Sequence, residues 1–313
     1  VAHSPGTAFE DSGLPLTALA VAAGRAVETS RPDPLVVDPF AADLLAAARS
    51  RVDMPTRWPE DPAAASPLVQ PLLLASIYIG MRTRFIDDFL REGATPQTVI
   101  LGAGLDTRAF RLPWPAGARI FELDSANVLD FKDSVLHGLA ATPGADRTTL
   151  DVDLAQPWQD SLQAAGFDPW QPATWIVEGL LPYLDAAGQR AVLDDLAALS
   201  APGSRTVIER AVPLPKTEDL DAQLQEFSRT TGLPMSDLLA RADPPDPVAV
   251  LEAAGWHCRR HTVADLCATY GRTISLTGSA EAPRTPGNAD DDGARPPSSA
   301  DGQSRGGFVT AWL

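Results

Sequence analysis

The chain has 313 residues, 44% hydrophobic and 21% charged, an ordinary globular composition with enough length to bury a large core without covalent staples. Its 25 Lys and Arg against 41 Asp and Glu leave a formal charge of −16, which argues against a nucleic-acid partner. No apolar run reaches membrane-spanning length, no basic-then-apolar leader opens the sequence, and Cys258 and Cys267 are too few for a disulfide framework, so a cytoplasmic protein is expected.

Residues 1–92 read as a helical extension or cap. The Ala-rich stretch 17–29 is made of good helix formers. Asp38-Pro39-Phe40 looks like a helix start, with Asp38 as N-cap and Pro39 in the first turn. Residues 72–90 form a third, longer helix.

Residues 93–313 change character and are expected to form a ligand-binding core. Short β-rich runs at 98–101, 119–123, 148–152, 174–177, 205–209, 257–262 and 308–313 alternate with helical stretches at 107–110, 127–139, 186–199 and 247–254. Such alternation predicts an α/β fold, a Rossmann-like parallel sheet covered on both faces. The last two strands are expected to be joined by a loop without a helix, which would make the final strand antiparallel. His257, Cys258 and His261 fall on the sixth strand, and no metal is expected there. Residues 279–307 are dominated by Pro, Gly, Ser, Asp and Ala and are expected to be a flexible insertion before the last strand; the alternative, a disordered C-terminal tail, conflicts with the apolar end 308–313.

The chemistry gathers at the strand ends. After the apolar Val99-Ile100-Leu101 comes Gly102-Ala103-Gly104, a tight turn at which backbone can approach a ligand; a plain strand-to-helix turn is the competing explanation. The third glycine of a dinucleotide fingerprint is replaced by Thr107, and Asp106 puts a carboxylate beside the helix start, where a pyrophosphate would be repelled. A phosphate-free, cationic nucleoside such as S-adenosylmethionine fits better. Asp124, about 20 residues past the glycines, can accept hydrogen bonds from both ribose hydroxyls. Glu122 points to the same side, and capping the helix from Asn127 is the alternative role for Asp124. Asp153, favoured over Asp151, can bond an adenine amine, with the next backbone N–H, of Leu154, on the ring nitrogen; a solvated turn carboxylate is the alternative. Glu178 leaves an apolar strand, where a carboxylate is costly unless paired, and so should face cofactor or acceptor. Tyr183 either walls the acceptor pocket or packs in the core. Arg82 or Arg84 either pairs with the methionine carboxylate of the cofactor or lies on a solvated helix face.

Taken in order, segments 17–19, 23–26, 35–41, 82–89, 101–108, 111–112, 121–124 with Lys132, 151–154 and 178–184 resemble the leucine carboxyl methyltransferase family, in particular its bacterial branch of S-adenosylmethionine-dependent methyltransferases. That branch includes polyketide-tailoring O-methyltransferases. The resemblance implies a class I methyltransferase fold of seven strands and S-adenosyl-L-methionine as cofactor. It places Gly102 beneath the cofactor, Asp124 on the ribose, Asp153 and Leu154 at the adenine, Glu178 by the methionine amino group and Arg82 on its carboxylate, and Gly104 of the same turn is a further cofactor-binding candidate. It leaves Arg108 and Arg111 as helix anchors.

The expected reaction is displacement at the sulfonium methyl by an oxygen of a small molecule. A carboxylate acceptor is already ionised and needs no general base, and none is assigned. The competing functions are a nicotinamide-dependent oxidoreductase, disfavoured by the missing third glycine, and a non-catalytic cofactor-binding module.

Overall fold

The computed structural model describes residues 14–48, 54–67, 69–210, 225, 244–276 and 306–313. All but the last two residues of the expected 279–307 insertion therefore lie outside the described residues.

Seven strands make one sheet: β1 (Gln97–Leu101), β2 (Arg119–Asp124), β3 (Asp146–Asp151), β4 (Ala173–Val177), β5 (Arg205–Arg210), β6 (His257–His261) and β7 (Gly307–Trp312). Their order is β3-β2-β1-β4-β5-β7-β6, with β7 antiparallel to both neighbours and every other pairing parallel. This is the class I methyltransferase arrangement of the Rossmann-like fold. Side chains alternate across the sheet. Val99, Leu101, Phe121, Leu123, Trp175 and Val177 enter the core on one face. Ile100, Ile120, Ile176 and Val207 enter it on the other. Both faces of β1 and β4 are buried, which is why these strands read as continuous apolar runs.

The helices are α1 (Leu16–Thr29), α2 (Ala41–Ala48), α3 (Gln70–Glu92), α4 (Arg108–Arg111), α5 (Ala126–Gly138), α6 (Gln159–Ala164), α7 (Ala186–Ala198), α8 (Pro247–Ala253) and α9 (Val263–Tyr270), with a short 3₁₀ turn at Leu181–Tyr183. The long α3 lies on the face of Ile100 and Ile176, contributing Ile77, Met81, Ile86 and Phe89. Helix α1 packs on α3 at very short range. A Cβ at Gly24 would sit 2.4 Å from Cδ1 and 3.1 Å from Cβ of Ile79, so a larger residue there would force Ile79 to move. The contact brings Arg25 of α1 and Arg82 of α3 over the strand ends.

Two expectations need correction. The link between β6 and β7 does contain a helix. Thr262 and Asp265 form a capping box that starts α9, and Gly271 ends it in the left-handed region at φ 61°. Asp38 does not cap α2, which begins at Ala41. Its Oδ1 accepts from Phe40 N–H at 3.0 Å, while its Oδ2 takes Arg25 Nε at 2.7 Å and the Thr107 hydroxyl at 2.8 Å. A buried carboxylate gains more from a charge-assisted pair than from a cap. Burial opposes its ionisation, but Arg25 and Arg111 outweigh that and hold the Asp38 carboxyl below its ordinary range.

Candidate active site

A cavity of about 1270 Å³ opens at the carboxyl ends of β1 to β5 and is roofed by α1 and α3. From β1 the chain runs outward to β2 and β3, then returns to place β4 and β5 on the other side. Ligands of open α/β sheets bind at this switch point.

The glycine turn is built as the sequence required. Gly102 and Gly104 have φ of 69° and 49°. Side chains are strained in this region, and a Cβ at Gly102 would also press Leu180 at 3.3 Å. The amides of Gly102 and Ala103 both donate to the Leu123 carbonyl, at 2.9 and 3.0 Å. The Gly104 N–H donates to Asp124 Oδ2 at 2.7 Å, and Oδ1 takes the Ser125 amide at 2.7 Å. Asp124 is thus fixed at the mouth of the turn, at the end of β2. It does not cap α5; Asp151 of β3 reaches across to the Ala126 amide at 2.8 Å. Glu122, two residues earlier, is fully buried away from the cavity, paired with Lys132 at 2.6 Å and Arg147 at 2.7 Å. Strand position, rather than alternation, separates these two acids.

Beyond β3, Asp153 is exposed and Leu154 buried, and both line the cavity with Asp151. Asp153 Oδ1 accepts from the Ala155 amide at 2.9 Å, a local turn bond.

The ends of β4 and β5 carry an ion network. Glu178 pairs with Arg82 Nε at 2.7 Å and Arg108 Nη1 at 2.6 Å. Arg108 is buried and also contacts Asp87 at 2.8 Å and Asp106. Arg111 closes on Asp87 at 2.5 Å. Asp106 accepts from the Arg108 amide at 2.6 Å, at the start of α4, where a carboxylate complements the helix dipole. Burial works against ionising Asp106 and Glu178, but Arg108 wins: it holds Asp106 down at about 2 and, with Arg82, lowers Glu178 too. Arg82 also reaches Glu209 of β5 at 3.0 Å. Glu209 collects two further donors, the Tyr78 hydroxyl at 2.7 Å and the Gly179 amide at 2.9 Å.

Arg82, Gly102, Gly104, Asp124, Asp153, Leu154, Glu178 and Tyr183 all border this one cavity. Arg84 does not; it pairs with Asp88 at 2.8 Å on the same helix. Tyr183 is half exposed on the 3₁₀ turn, which removes core packing as its role. Sequence reasoning missed Glu209, Tyr78 and the central place of Arg108. Glu209 carried the same signal as Glu178, an acid closing an apolar strand, at Ile208-Glu209. Tyr78 lies one turn before Arg82 on α3, a spacing that puts both on one face. Arg108 gave no signal beyond its place after the turn.

Among the described residues no helix is long and apolar enough to cross a membrane, and no group of three His, Cys, Asp or Glu is placed to hold a metal ion. Comparison with known proteins identifies the family. The model of the family described as "Leucine carboxyl methyltransferase" matches residues 18–197. A protein of Saccharopolyspora erythraea named "Putative S-adenosyl-L-methionine-dependent methyltransferase" is 40% identical over 267 residues, covering 84% of this chain and 90% of the relative. A relative from Streptomyces coelicolor with the same description is 41% identical over 268 residues, covering 84% and 88%. One from Rhodococcus jostii is 38% identical over 273 residues, covering 84% and 89%. These matches set aside the nicotinamide-dependent oxidoreductase and the non-catalytic module, and the chain belongs to the leucine carboxyl methyltransferase family.

Proposed function

We propose that this S-adenosylmethionine-dependent methyltransferase methylates a carboxylate oxygen of an apolar small-molecule acid, of the polyketide or secondary-metabolite kind. The observation that carries this reading is the make-up of the cavity's described lining, in which no ready general base stands. The described lining of the cavity holds neither histidine nor lysine. Each of its acids already accepts a hydrogen bond or ion pair: Asp106, Asp124, Asp151, Asp153, Glu178 and Glu209. Burial and the neighbouring Glu209 push the Tyr78 hydroxyl well above its ordinary value, and burial raises Tyr183 as well. A hydroxyl acceptor would need a proton removed. A carboxylate is ionised at neutral pH and needs nothing.

The cavity fits the cofactor on its polar side. A side chain at Gly102 would press Leu180, so glycine leaves the floor of the cavity open there, and Asp124 lines the cavity beside it. Asp124 would hold the ribose, Asp153 and the Leu154 amide the adenine, Glu178 the amino group and Arg82 the carboxylate. Bound there, S-adenosylmethionine supplies a methyl group on a sulfonium, open to displacement by an ionised oxygen. The opposite wall is apolar, formed by Ala18, Val21, Leu72, Ala75, Ile79 and Ile274. The volume exceeds the roughly 300–1,000 Å³ typical of one small ligand, which leaves room for an acceptor. For an acceptor that is already ionised, the chain's contribution is alignment and exclusion of water by α1 and α3.

The test is methyl transfer from methyl-labelled cofactor to a panel of aromatic and long-chain acids, each matched with its alcohol. Label should enter the acids and be released as methanol by mild alkali, as from an ester. Alkali-stable label in the alcohols would refute the carboxylate assignment.

A further inference from the structure

The proposed cofactor contacts run from Asp153 past β3 to Glu178 past β4. The sheet continues beyond them, through β5 and β7 to β6. Two residues from that far side line the cavity: Val263 at the start of α9 and Ile274 just after its end. Both are apolar, and neither belongs to the strand ends assigned to the cofactor.

Ile274 lies outside any helix or strand. Gly271 has ended α9, and the turn that follows makes local bonds. The Arg272 amide donates to the Cys267 carbonyl at 3.0 Å, the Ser275 amide to the Thr273 carbonyl at 2.9 Å, and the Ile274 amide to the Cys267 thiol. These bonds tie the turn to α9 and to itself. The Arg272 side chain ties it to the roof of the cavity. Its Nη1 donates to Asp33 Oδ2 at 2.6 Å, and its Nη2 donates to the Asp33 carbonyl and reaches Glu28 Oε1 at 3.7 Å. The guanidinium holds the Asp33 carboxyl below its ordinary range. Glu28 is buried near the end of α1 and accepts from the Leu35 amide at 2.7 Å. It also lies against α3, where a Cβ at Gly80 would come within 2.7 Å of its carboxyl carbon. One guanidinium thus clasps the turn after α9 to α1 and, through Glu28, to α3.

We infer that Arg272 is a positioning residue for the acceptor: it holds Ile274 at the cavity wall and leaves cofactor binding alone. This rests on the reading of the apolar wall as the acceptor side. Without the clasp, binding an acceptor must also order the turn, and that cost comes out of its affinity. Asp33 is exposed, so its pair with Arg272 is screened as a surface pair is, and the fold does not depend on it.

The test titrates the full chain, saturated with S-adenosylhomocysteine, with 11-(dansylamino)undecanoic acid and with the matching alcohol, probes whose fluorescence rises in apolar surroundings. Arg272→Gln should weaken both probes about fivefold, and Asp33→Asn about twofold. Ile274→Ala should weaken them too, since it removes the contact itself. Calorimetric affinity for S-adenosylhomocysteine should be unchanged in all three. Asp33→Asn, on an exposed residue, decides the matter should Arg272→Gln not fold. Probe affinities that match the wild type in the Arg272 and Asp33 variants would overturn the inference. So would equal weakening of probes and S-adenosylhomocysteine, which would make the clasp a general support. A wild type that takes up neither probe would overturn it as well. The carboxylate reading is judged separately: alkali-stable label in the alcohols defeats that reading and leaves Arg272 its role, because the wall is apolar for either head group.

Discussion

Replacing Arg108 with methionine removes a cation while keeping most of its volume. The Arg108 side chain is 2% exposed and serves three carboxylates, Asp87, Asp106 and Glu178. Asp87 retains Arg111 and Glu178 retains Arg82, but Asp106 loses its nearest cation. Breaking a buried pair on one side costs about 3–5 kcal/mol. In a protein of this size that is a melting temperature lower by roughly 5–8 °C at pH 7. The pH dependence makes the test specific. In the wild type Asp106 is depressed to about 2, so its stabilisation is complete above its unfolded value near 4 and is lost as pH falls from there toward 2. In the variant, burial without Arg108 raises the carboxyl. Its folded form then gains relative stability as pH falls from neutrality toward 4, where the proton neutralises it. The gap between the two proteins should therefore narrow on acidification from pH 7 to 5. Scanning calorimetry at several pH values measures it. A gap that stays constant with pH, or a loss below about 1 kcal/mol, would show that the network does not work through charge.

Asp124→Ala should weaken S-adenosylmethionine at least tenfold by calorimetry, about 1.4 kcal/mol or more, since two ribose hydroxyls would lose their acceptor. Glu122→Gln should do the reverse: it leaves Lys132 buried without its carboxylate, so the protein loses about 3–5 kcal/mol in denaturant unfolding, while the folded fraction keeps its cofactor affinity. Thr262→Ala removes the cap of α9 and should cost about 1 kcal/mol, read as a shifted denaturation midpoint with unchanged slope.

The parallel core was legible because buried strands announce themselves. Val99-Ile100-Leu101 and Trp175-Ile176-Val177 have no polar face to confuse the period, and each ends in a glycine or an acid that must mean something. Helix α9 was missed because eight residues give barely two turns of pattern; the signal lay instead in Thr262-x-x-Asp265, a start with Asp in the place usually held by Glu. Asp38 shows the opposite failure. Asp-Pro is a sound local signal for a helix start, and a partner 13 residues away overrode it. The network of Arg82, Arg108 and Glu209 was illegible for the same reason. Its members lie up to 127 residues apart, and no local rule pairs an arginine on α3 with the far end of β5.

The position of β7 has a consequence for biosynthesis. It lies inside the sheet, between β5 and β6, yet ribosomes reach it after every other described strand. Until Phe308, Val309 and Ala311 emerge, β6 has no neighbour in the sheet and β5 presents an open edge. The nascent protein must therefore carry two unzipped strand margins through the synthesis of everything between His261 and Gly307. Fragments released early would be sticky, and rescue of such fragments by chaperones should matter more for this chain than for a sheet that grows in translation order.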